Sequence, residues 1–222
     1  RPEFALGKNI SFIAMAGDGG TYDIGLQALS GAVERGHNFL YICYDNQAYM
    51  NTGIQRSGAT PMYASTSTCP AGDAVPGKLQ NRKPFTEIIA AHNIPYAAQA
   101  GVHNFMDLMR KVRRGLEVDG PAFLNVLAPC HRGWRIKQEE SFAISRLAAD
   151  TCFWPLYEVD YGEWKLNYKP REKKPIIEWI KPQGRFRHLL SEASKGLVEQ
   201  IQAEVDRNWE RLLGRCEAQK AG

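Results

Sequence analysis

The sequence predicts an α/β fold in which a mostly parallel, doubly wound sheet is followed by a C-terminal extended arm and helix. Short apolar runs alternate with amphipathic segments over residues 1–150, and this alternation is typical of parallel sheets covered by helices on both faces. A glycine-rich turn joins the first apolar run to the first helix. With 222 residues, 44% of them hydrophobic, the chain can bury one substantial core.

The first elements form a unit of strand, turn, helix and strand. Residues 10–16 and 38–44 are short β-rich runs, and residues 22–35 between them have the pattern of a helix. A right-handed crossover makes the two strands parallel, so their carboxyl ends lie at one edge of the sheet. Side chains that follow these strands are therefore expected to lie close together.

Later segments continue the alternation. We predict a helix over about residues 84–92, a strand over 96–100, a helix after residue 104, a strand over 122–128 and a helix over 138–149. Apolar residues recur at helical spacing in the helix after residue 104, namely Phe105, Met109, Val112 and Leu116.

The character of the chain changes beyond Asp150. Two short aromatic segments, bounded by prolines, read as extended pieces and precede a final amphipathic helix. The apolar face of this helix consists of Leu197, Ile201, Val205, Trp209 and Leu212. We predict an α/β domain over residues 1–150, and an arm and helix over residues 151–222 that pack on a partner subunit.

The turn after the first strand carries the main candidate site. Gly17-Asp18-Gly19-Gly20 follows the first apolar run, and Asn46 follows the second, 28 positions after Asp18. Glycines let the backbone approach a ligand, and the free N–H groups of a helix start favour an anion such as phosphate. A carboxylate and an amide are hard oxygen ligands that suit Mg²⁺. The residues predict a diphosphate held through a divalent ion.

Two other interpretations of this turn are open. In an ordinary α/β turn the glycines serve geometry and Asp18 caps the helix. In a dinucleotide site Gly17 and Gly19 would begin the fingerprint and Asp45 would reach a ribose, but Tyr22 occupies the third glycine position.

Longer strings of the sequence resemble one family. Gly17-Asp18-Gly19 followed by Asn46 resembles the thiamine-diphosphate motif, and residues 17–31, 44–61 and 127–134 resemble the β subunit of pyruvate:ferredoxin oxidoreductase. The resemblance covers nearly the whole chain. It implies the thiamine-diphosphate-binding fold.

The resemblance also implies roles for individual residues. Asp18, the side chain of Asn46 and the backbone carbonyl of Ala48 are expected to bind Mg²⁺. Asn51 is expected near the thiazolium and the substrate carbonyl as the catalytic candidate; its alternative is a turn residue before Thr52. The cofactor-binding set that the resemblance implies is Gly17, Asp18, Gly19, Gly20, Asn46, Ala48 and Asn51.

The cysteine pattern argues against a disulfide framework. The count is odd and no C-x-x-C pair occurs. Cys43 reads as a small buried hydrophobe in its strand. The five cysteines are Cys43, Cys69, Cys130, Cys152 and Cys216.

Cys130 follows the predicted strand 122–128 at the same sheet edge as Asp18. By resemblance it matches the remote fourth ligand of a [4Fe–4S] cluster. Such a cluster needs four thiolates, and the upstream cysteine region of the family has no counterpart here. The chain starts at Arg1 without Met, so we expect it to be part of a longer polypeptide, with Cys130 a ligand only if upstream cysteines are supplied. Its alternative is a buried loop thiol.

The reaction implied by the resemblance is the oxidative decarboxylation of a 2-oxo acid, most simply pyruvate, to an acyl-coenzyme A, with electrons passing to ferredoxin. An α subunit would supply the activating glutamate, and a ferredoxin-like subunit would carry further clusters. Branched-chain 2-oxo acids, oxalate and 2-oxoglutarate are alternative substrates. A non-redox thiamine-diphosphate decarboxylase, or a non-catalytic subunit-contact fragment, is an alternative function.

Charge and hydropathy exclude other classes. The net charge of +4 is small, and the basic residues Lys111, Arg113 and Arg114 and the tract 169–174 read as solvated faces without the aromatic residues of a nucleic-acid site. No apolar run approaches the roughly 18 residues of a membrane span, and no signal peptide opens the chain. We expect a cytoplasmic hetero-oligomeric enzyme that binds neither nucleic acid nor membrane.

Overall fold

The computed structural model of the protein describes residues 10–218. Six strands form one sheet in the order β1-β2-β4-β3-β5-β6. The first four run parallel, β5 runs antiparallel to β3, and β6 runs antiparallel to β5. The strands are β1 (Ile13–Gly17), β2 (Phe39–Asp45), β3 (Tyr96–Gly101), β4 (Pro121–Leu127), β5 (Tyr157–Asp160) and β6 (Glu163–Leu166).

Helices connect the parallel strands and cover the sheet. A π-helical turn (Gly19–Ile24) precedes the first α-helix, and 3₁₀ segments span Gln138–Glu140, Gly184–Leu190 and Glu192–Ser194. The α-helices are α1 (Leu26–Glu34), α2 (Phe85–Ala90), α3 (Phe105–Glu117), α4 (His131–Trp134), α5 (Ser141–Asp150), α6 (Ile177–Ile180) and α7 (Lys195–Ala218). The predicted α/β fold with a mostly parallel sheet is confirmed.

The register of the parallel strands brings their carboxyl ends into line. Gly17 of β1 pairs with Tyr44 of β2, and Tyr44 pairs with Val126 of β4. The residues that follow these strands therefore leave the sheet at one edge, as expected from the crossover rule. Asp18, Asn46 and Cys130 all lie in these exits.

The sheet separates a large core from a small one. In β4, Phe123 and Leu127 face the large core, whereas Leu124 and Val126 face the small core. Every residue of β4 is buried, because a central parallel strand has packing on both sides. This explains why the strand reads as a continuous apolar run rather than an alternating one.

The C-terminal segments continue the same sheet and core. β5 and β6 extend the sheet beyond β3, and α7 buries its apolar face in the large core. The predicted face of α7 is confirmed: Ile201, Val205, Trp209 and Leu212 are buried, and Leu197 packs against them. The proposed boundary at residues 150 and 151 stays a prediction. Within residues 10–218, no helix is long and apolar enough to cross a membrane.

Helix α3 turns a different face to the sheet than its apolar pattern indicates. Phe105 and Met109 are 64% and 57% exposed, and Leu116 is exposed as well. The fully buried residues of α3 are instead Lys111 and Gly115. The apolar spacing correctly indicates a helix, but most of the predicted stripe lies outside the core.

A polar pairing explains why Lys111 is buried rather than solvated. Its Nζ donates to Asp107 Oδ2 at 2.6 Å and to the backbone carbonyl of Gln99 at 2.8 Å. Gly115 lets the helix approach the sheet, because a Cβ there would lie 2.8 Å from Leu40 Cδ1. The expectation that Lys111 belongs to a solvated basic face is wrong.

We predict that Lys111→Ala lowers the free energy of unfolding by about 3 kcal/mol, because breaking a buried pair leaves the other partner uncompensated. Arg113→Ala is the control on the same helix; Arg113 is exposed, and its loss should change stability by no more than about 0.5 kcal/mol. Urea denaturation of both variants measures the difference. Equal losses for the two variants would show that the Lys111 pairing contributes no stability.

Candidate functional site

The turn after β1 is wide. It forms a π-helical turn over Gly19–Ile24 before α1 begins, where the sequence predicts a regular helix from Tyr22. Gly25 closes this turn by donating its N–H to the carbonyl of Gly20 at 2.8 Å. A Cβ at Gly25 would lie 2.3 Å from that oxygen, so the turn needs a glycine there.

Asp18 occupies the start of this turn and is fully buried. Its side chain makes no capping hydrogen bond to the following turn, so the interpretation of Asp18 as a helix cap is wrong. Oδ1 instead accepts from the backbone N–H of Asn46 at 3.1 Å, and Oδ2 accepts from Ser57 Oγ at 2.5 Å. Asp18 therefore links the exits of β1 and β2, as their parallel register requires.

The side-chain carboxamide of Asn46 reaches the carboxylate of Asp18 and the backbone carbonyl of Ala48. Its terminal carboxamide atom lies 2.8 Å from the carbonyl oxygen of Ala48 and 2.9 Å from Asp18 Oδ1. If this atom is the nitrogen, it donates to both oxygens. If it is the oxygen, three acceptors face one another, which is repulsive unless a cation lies among them.

The two distances from the Asn46 carboxamide are those of ordinary hydrogen bonds, and they are also compatible with neighbouring ligands of a magnesium ion. Mg²⁺ holds oxygen ligands at about 2.0–2.1 Å, so adjacent ligands of its octahedron lie about 2.9 Å apart. The distances of 2.8 and 2.9 Å agree with that edge length. A carboxylate, an amide oxygen and a backbone carbonyl would hold the ion, and the remaining positions suit water and phosphate oxygens.

The glycines of the turn differ in their surroundings. The ring of Tyr49 lies across Gly19, where a Cβ would come within 2.4 Å of it, and Tyr49 Oη donates to the Gly19 carbonyl at 2.9 Å. A Cβ at Gly17 would lie 3.3 Å from the Tyr44 ring. Gly20 is exposed, and a Cβ there would meet nothing closer than 3.9 Å. Gly20 thus lies on the open side of the turn.

A second carboxylate, Asp45, is buried beside the first. It accepts from Tyr22 Oη at 2.7 Å and from the N–H of Gln47 at 3.0 Å. Tyr22 also accepts from Asn125 Nδ2 at 2.6 Å and stacks on Phe85. A dinucleotide site is therefore excluded, because Tyr22 fills the place of the third glycine and Asp45 is not accessible to a ribose.

Burial and mutual repulsion set the charge of the pair. Removal from water, followed by the nearby Asp45 carboxylate, raises the pKa of Asp18 to about 8. Burial likewise raises the pKa of Asp45, although the cation of Arg82 opposes this. Two carboxyl groups that resist ionisation together are stabilised by a bound cation, which lowers the cost of both charges.

Cys130 lies next to residues 46–48, which contain two of the candidate metal ligands and are called the metal loop. It caps α4, where its Sγ accepts from the N–H of Gly133 at 3.5 Å, and it is half-buried. Gly133 packs on Met50, whose Sδ would lie 2.2 Å from a Cβ at that position. Trp134 of the same helix donates its indole N–H to the carbonyl of Asn46 at 2.7 Å. The Cys130 segment and the metal loop thus form one unit.

The remaining sequence candidates are dispersed. Asn51 lies in an exposed turn beyond the metal loop. Residues 10–218 contain no group of three or more His, Cys, Asp or Glu residues placed to hold a metal ion, so Cys130 has no described partners for a cluster. The described residues contain no disulfide, and Cys43 is buried as expected.

Sequence reasoning missed several residues of the site. Their side chains hold the ligands rather than form them, and no motif marks them. Ser57 and Trp134 belong to strings that resemble the family, whereas Asp45 and Tyr22 enter the sequence analysis only through a ribose contact and a glycine position. The missed supporting residues are Tyr22, Asp45, Ser57, Trp134 and Arg185.

Known proteins share much of this sequence. The family of thiamine pyrophosphate enzymes, in its C-terminal TPP-binding domain, matches residues 4–126. The pyruvate synthase subunit PorB of Thermotoga maritima is 53% identical over 93% of this chain and 64% of that protein. PorB of Methanocaldococcus jannaschii is 51% identical, over 93% and 68%. The ketoisovalerate oxidoreductase subunit VorB of Pyrococcus horikoshii is 46% identical, over 91% and 65%.

A solved structure shares the fold. The 2-oxoglutarate:ferredoxin oxidoreductase from Magnetococcus marinus, solved with 2-oxoglutarate, coenzyme A and succinyl-CoA, superposes with a TM-score of 0.52 at 20% identity. The match covers 66% of this chain and 54% of that chain. Fold and family match together define a thiamine-pyrophosphate-binding α/β domain.

The chain belongs to the family of β subunits of pyruvate and other 2-oxoacid:ferredoxin oxidoreductases, and the resemblance of its sequence strings to that family is confirmed. It spans 64% and 68% of the length of the two PorB proteins.

We predict that Asp18→Asn stabilises the metal-free protein at pH 8. An unfolded Asp ionises at about pH 4, whereas burial raises the folded pKa of Asp18 to about 8. Between these values the folded protein keeps a proton that the unfolded chain has lost. The contribution of Asp18 to stability therefore falls as the pH rises through this range.

Thermal unfolding in a chelating buffer at pH 5 and pH 8 measures this effect. The melting temperature of Asp18→Asn should exceed that of the parent at pH 8, and the difference should shrink at pH 5. Asp73→Asn, at an exposed position, is the control and should show no pH-dependent difference. A variant that is less stable than the parent by the same amount at both pH values would contradict the raised pKa.

Proposed function

We propose that this chain binds thiamine diphosphate through Mg²⁺ and forms the cofactor-binding part of a pyruvate:ferredoxin oxidoreductase. The observation that carries the proposal is that the Asn46 carboxamide lies 2.8 Å from the Ala48 carbonyl oxygen and 2.9 Å from Asp18 Oδ1, distances at which the three groups could share one Mg²⁺. The family match adds the identity of the cofactor.

This chain would bind and orient the cofactor. Asp18 would supply the charged ligand, Asn46 and Ala48 the neutral ones, and the open side of Gly20 would leave room for a diphosphate. When bound, thiamine diphosphate supplies the electron sink for loss of CO₂ from a 2-oxo acid. Because Asp18 is buried, a bound ion would meet a fixed protein oxygen there rather than water.

The residue nearest to the chemistry in this proposal is Asn51. It lies three positions beyond Ala48 in an exposed turn, so its carboxamide is available to a substrate carbonyl next to the metal-bound cofactor. A donor there would stabilise charge that develops during reaction. The aminopyrimidine-activating glutamate would come from an α subunit.

The whole reaction needs parts beyond this chain. We place coenzyme A as acyl acceptor, a ferredoxin-like subunit and ferredoxin as electron carriers, and a [4Fe–4S] cluster that Cys130 would ligate together with three further thiolates. The position of Cys130 on the unit that also holds Asn46 supports this placement. A non-redox decarboxylase remains the rival, and iron analysis of the intact complex separates the two.

Pyruvate is the proposed substrate because the PorB proteins of Thermotoga maritima and Methanocaldococcus jannaschii are 53% and 51% identical to this chain. A branched-chain 2-oxo acid is the second candidate, favoured by the 46% identity to VorB of Pyrococcus horikoshii. Reduction of a viologen by the purified complex with a panel of 2-oxo acids would decide between them.

We predict that Asp18→Ala abolishes Mg²⁺-dependent binding of thiamine diphosphate, whereas Asn46→Ala weakens it less. Asp18 contributes the charged ligand. Its loss should therefore weaken binding by more than the roughly 10- to 100-fold that is typical when a residue supporting a metal ligand is lost. Calorimetric titration of the metal-depleted complex with the cofactor, with and without Mg²⁺, measures the affinities.

Asp73→Ala serves as the control for the loss of a carboxylate at an exposed position. It should bind thiamine diphosphate as the parent does. If Asp18→Ala and Asn46→Ala both keep the parent affinity, the metal site lies elsewhere.

A further inference from the structure

A buried arginine from the C-terminal part of the chain contacts the metal loop. Arg185 belongs to the 3₁₀ segment Gly184–Leu190 and is 3% exposed. Its guanidinium stacks on the indole of Trp134 at 3.8 Å and lies near Trp179 and Phe186. An aromatic cage of this kind excludes water from a permanent charge.

The hydrogen bonds of Arg185 go to two carboxamides. Its Nη2 donates to Gln47 Oε1 at 2.7 Å, and its Nε donates to Gln183 Oε1 at 2.9 Å. Among the ion pairs of residues 10–218, none includes Arg185. Burying a guanidinium without a directly paired carboxylate costs free energy, and the contacts that Arg185 makes have to offset this cost.

The metal loop needs such support. Gln47 has a φ of 68°, a left-handed conformation that is unfavourable for a residue with a side chain. Its N–H donates to Asp45, and its carbonyl accepts from Thr60 Oγ1 at 2.7 Å. Its buried Nε2 has no hydrogen-bond partner among the described residues. The described hydrogen bond that orients the Gln47 carboxamide is therefore the one from Arg185.

Arg185 also acts on the neighbouring residue through Trp134. The indole ring on which the guanidinium stacks donates its N–H to the Asn46 carbonyl. Asn46 and Ala48 flank Gln47 and supply two of the three candidate metal ligands. Burial lowers the pKa of Arg185 well below its usual value, and the nearby carboxylates of Asp45 and Asp18 oppose this shift.

We propose that Arg185 is a positioning residue that clamps the metal loop, holding Gln47 by a hydrogen bond and Asn46 through the Trp134 ring, so that the oxygens of Asn46 and Ala48 stay at metal-ligand spacing. This inference rests on the proposed magnesium and cofactor site. Arg185 itself contacts neither metal nor cofactor.

The test compares Arg185→Met with Arg185→Lys in the complex that contains this chain, after removal of metal with a chelator. The midpoint of a Mg²⁺ titration at saturating thiamine diphosphate is measured by calorimetry. Arg185→Met should raise it about 10- to 100-fold, the usual effect of losing a residue that orients a metal ligand. Arg185→Lys should give a smaller rise, because Lys keeps the charge but cannot form the fork of planar donors.

Arg187→Met is the matched control, because Arg187 lies in the same segment and is exposed. It should leave the Mg²⁺ midpoint unchanged. The melting temperature of each variant without metal shows whether the change is local or a general loss of stability. The proposal requires that Arg185→Met raise the Mg²⁺ midpoint far more than another variant with the same melting temperature does.

A second variant covers the case in which Arg185→Met does not fold. Gln47→Met removes the acceptor while preserving length, and it should raise the Mg²⁺ midpoint in the same way. Where both fold, the double variant should lose little more than Arg185→Met alone, since that change already breaks the contact with Gln47.

The outcomes distinguish the clamp from the proposed function. If the parent binds thiamine diphosphate with Mg²⁺ and both Arg185→Met and Gln47→Met have the parent midpoint, the clamp is wrong while the function stands. If the parent shows no Mg²⁺-dependent binding, the proposed function fails and the clamp fails with it.

Discussion

The burial of two carboxylates at adjacent strand ends is the constraint on which the rest of the site depends. Asp18 follows β1, and Asp45 is the last residue of the neighbouring parallel strand β2. Both side chains are buried. Burial raises both pKa values, and the nearby Asp45 carboxylate adds to the rise for Asp18. The divalent ion that we propose at Asp18 would lower the cost of this burial.

Each of the two carboxylates has its own hydrogen-bond donors. Ser57 and the N–H of Asn46 satisfy Asp18, whereas Tyr22 and the N–H of Gln47 satisfy Asp45. Next to these groups, the guanidinium of Arg185 stacks on the ring of Trp134. The direct ligands come from the strand exits, while their supports come from residues far along the chain, so the site is assembled by the whole fold.

The sequence sufficed to predict the main features of the fold because they follow from local pattern and chain chirality. Alternating runs predicted the strands, and the right-handed crossover predicted that Asp18 and Asn46 meet. The apolar stripe of α3 misled because periodicity marks a helix without saying which face meets the sheet. Lys111 can be buried because its ammonium group donates hydrogen bonds to Asp107 and to the Gln99 carbonyl. No spacing rule predicts that pairing.

The supports of the site could not be predicted for a related reason. Arg185 lies 138 positions from Gln47 and reaches it only through the tertiary fold. Tyr22 looked like an obstruction at a glycine position, yet its hydroxyl group is what satisfies the buried Asp45. These residues reach the site only through tertiary contacts, so no local spacing in the sequence marks them.

The most direct measurement of the central claim is the location of the metal. Mn²⁺ can replace Mg²⁺ in oxygen sites, and its anomalous scattering marks its position in a crystal of the complex with thiamine diphosphate. We expect one peak at about 2.0–2.2 Å from Asp18 Oδ1, Asn46 Oδ1 and the Ala48 carbonyl, with diphosphate oxygens on the opposite side. A cofactor-bound crystal with no peak there, and with the Asn46 carboxamide nitrogen turned toward Asp18, would contradict the claim.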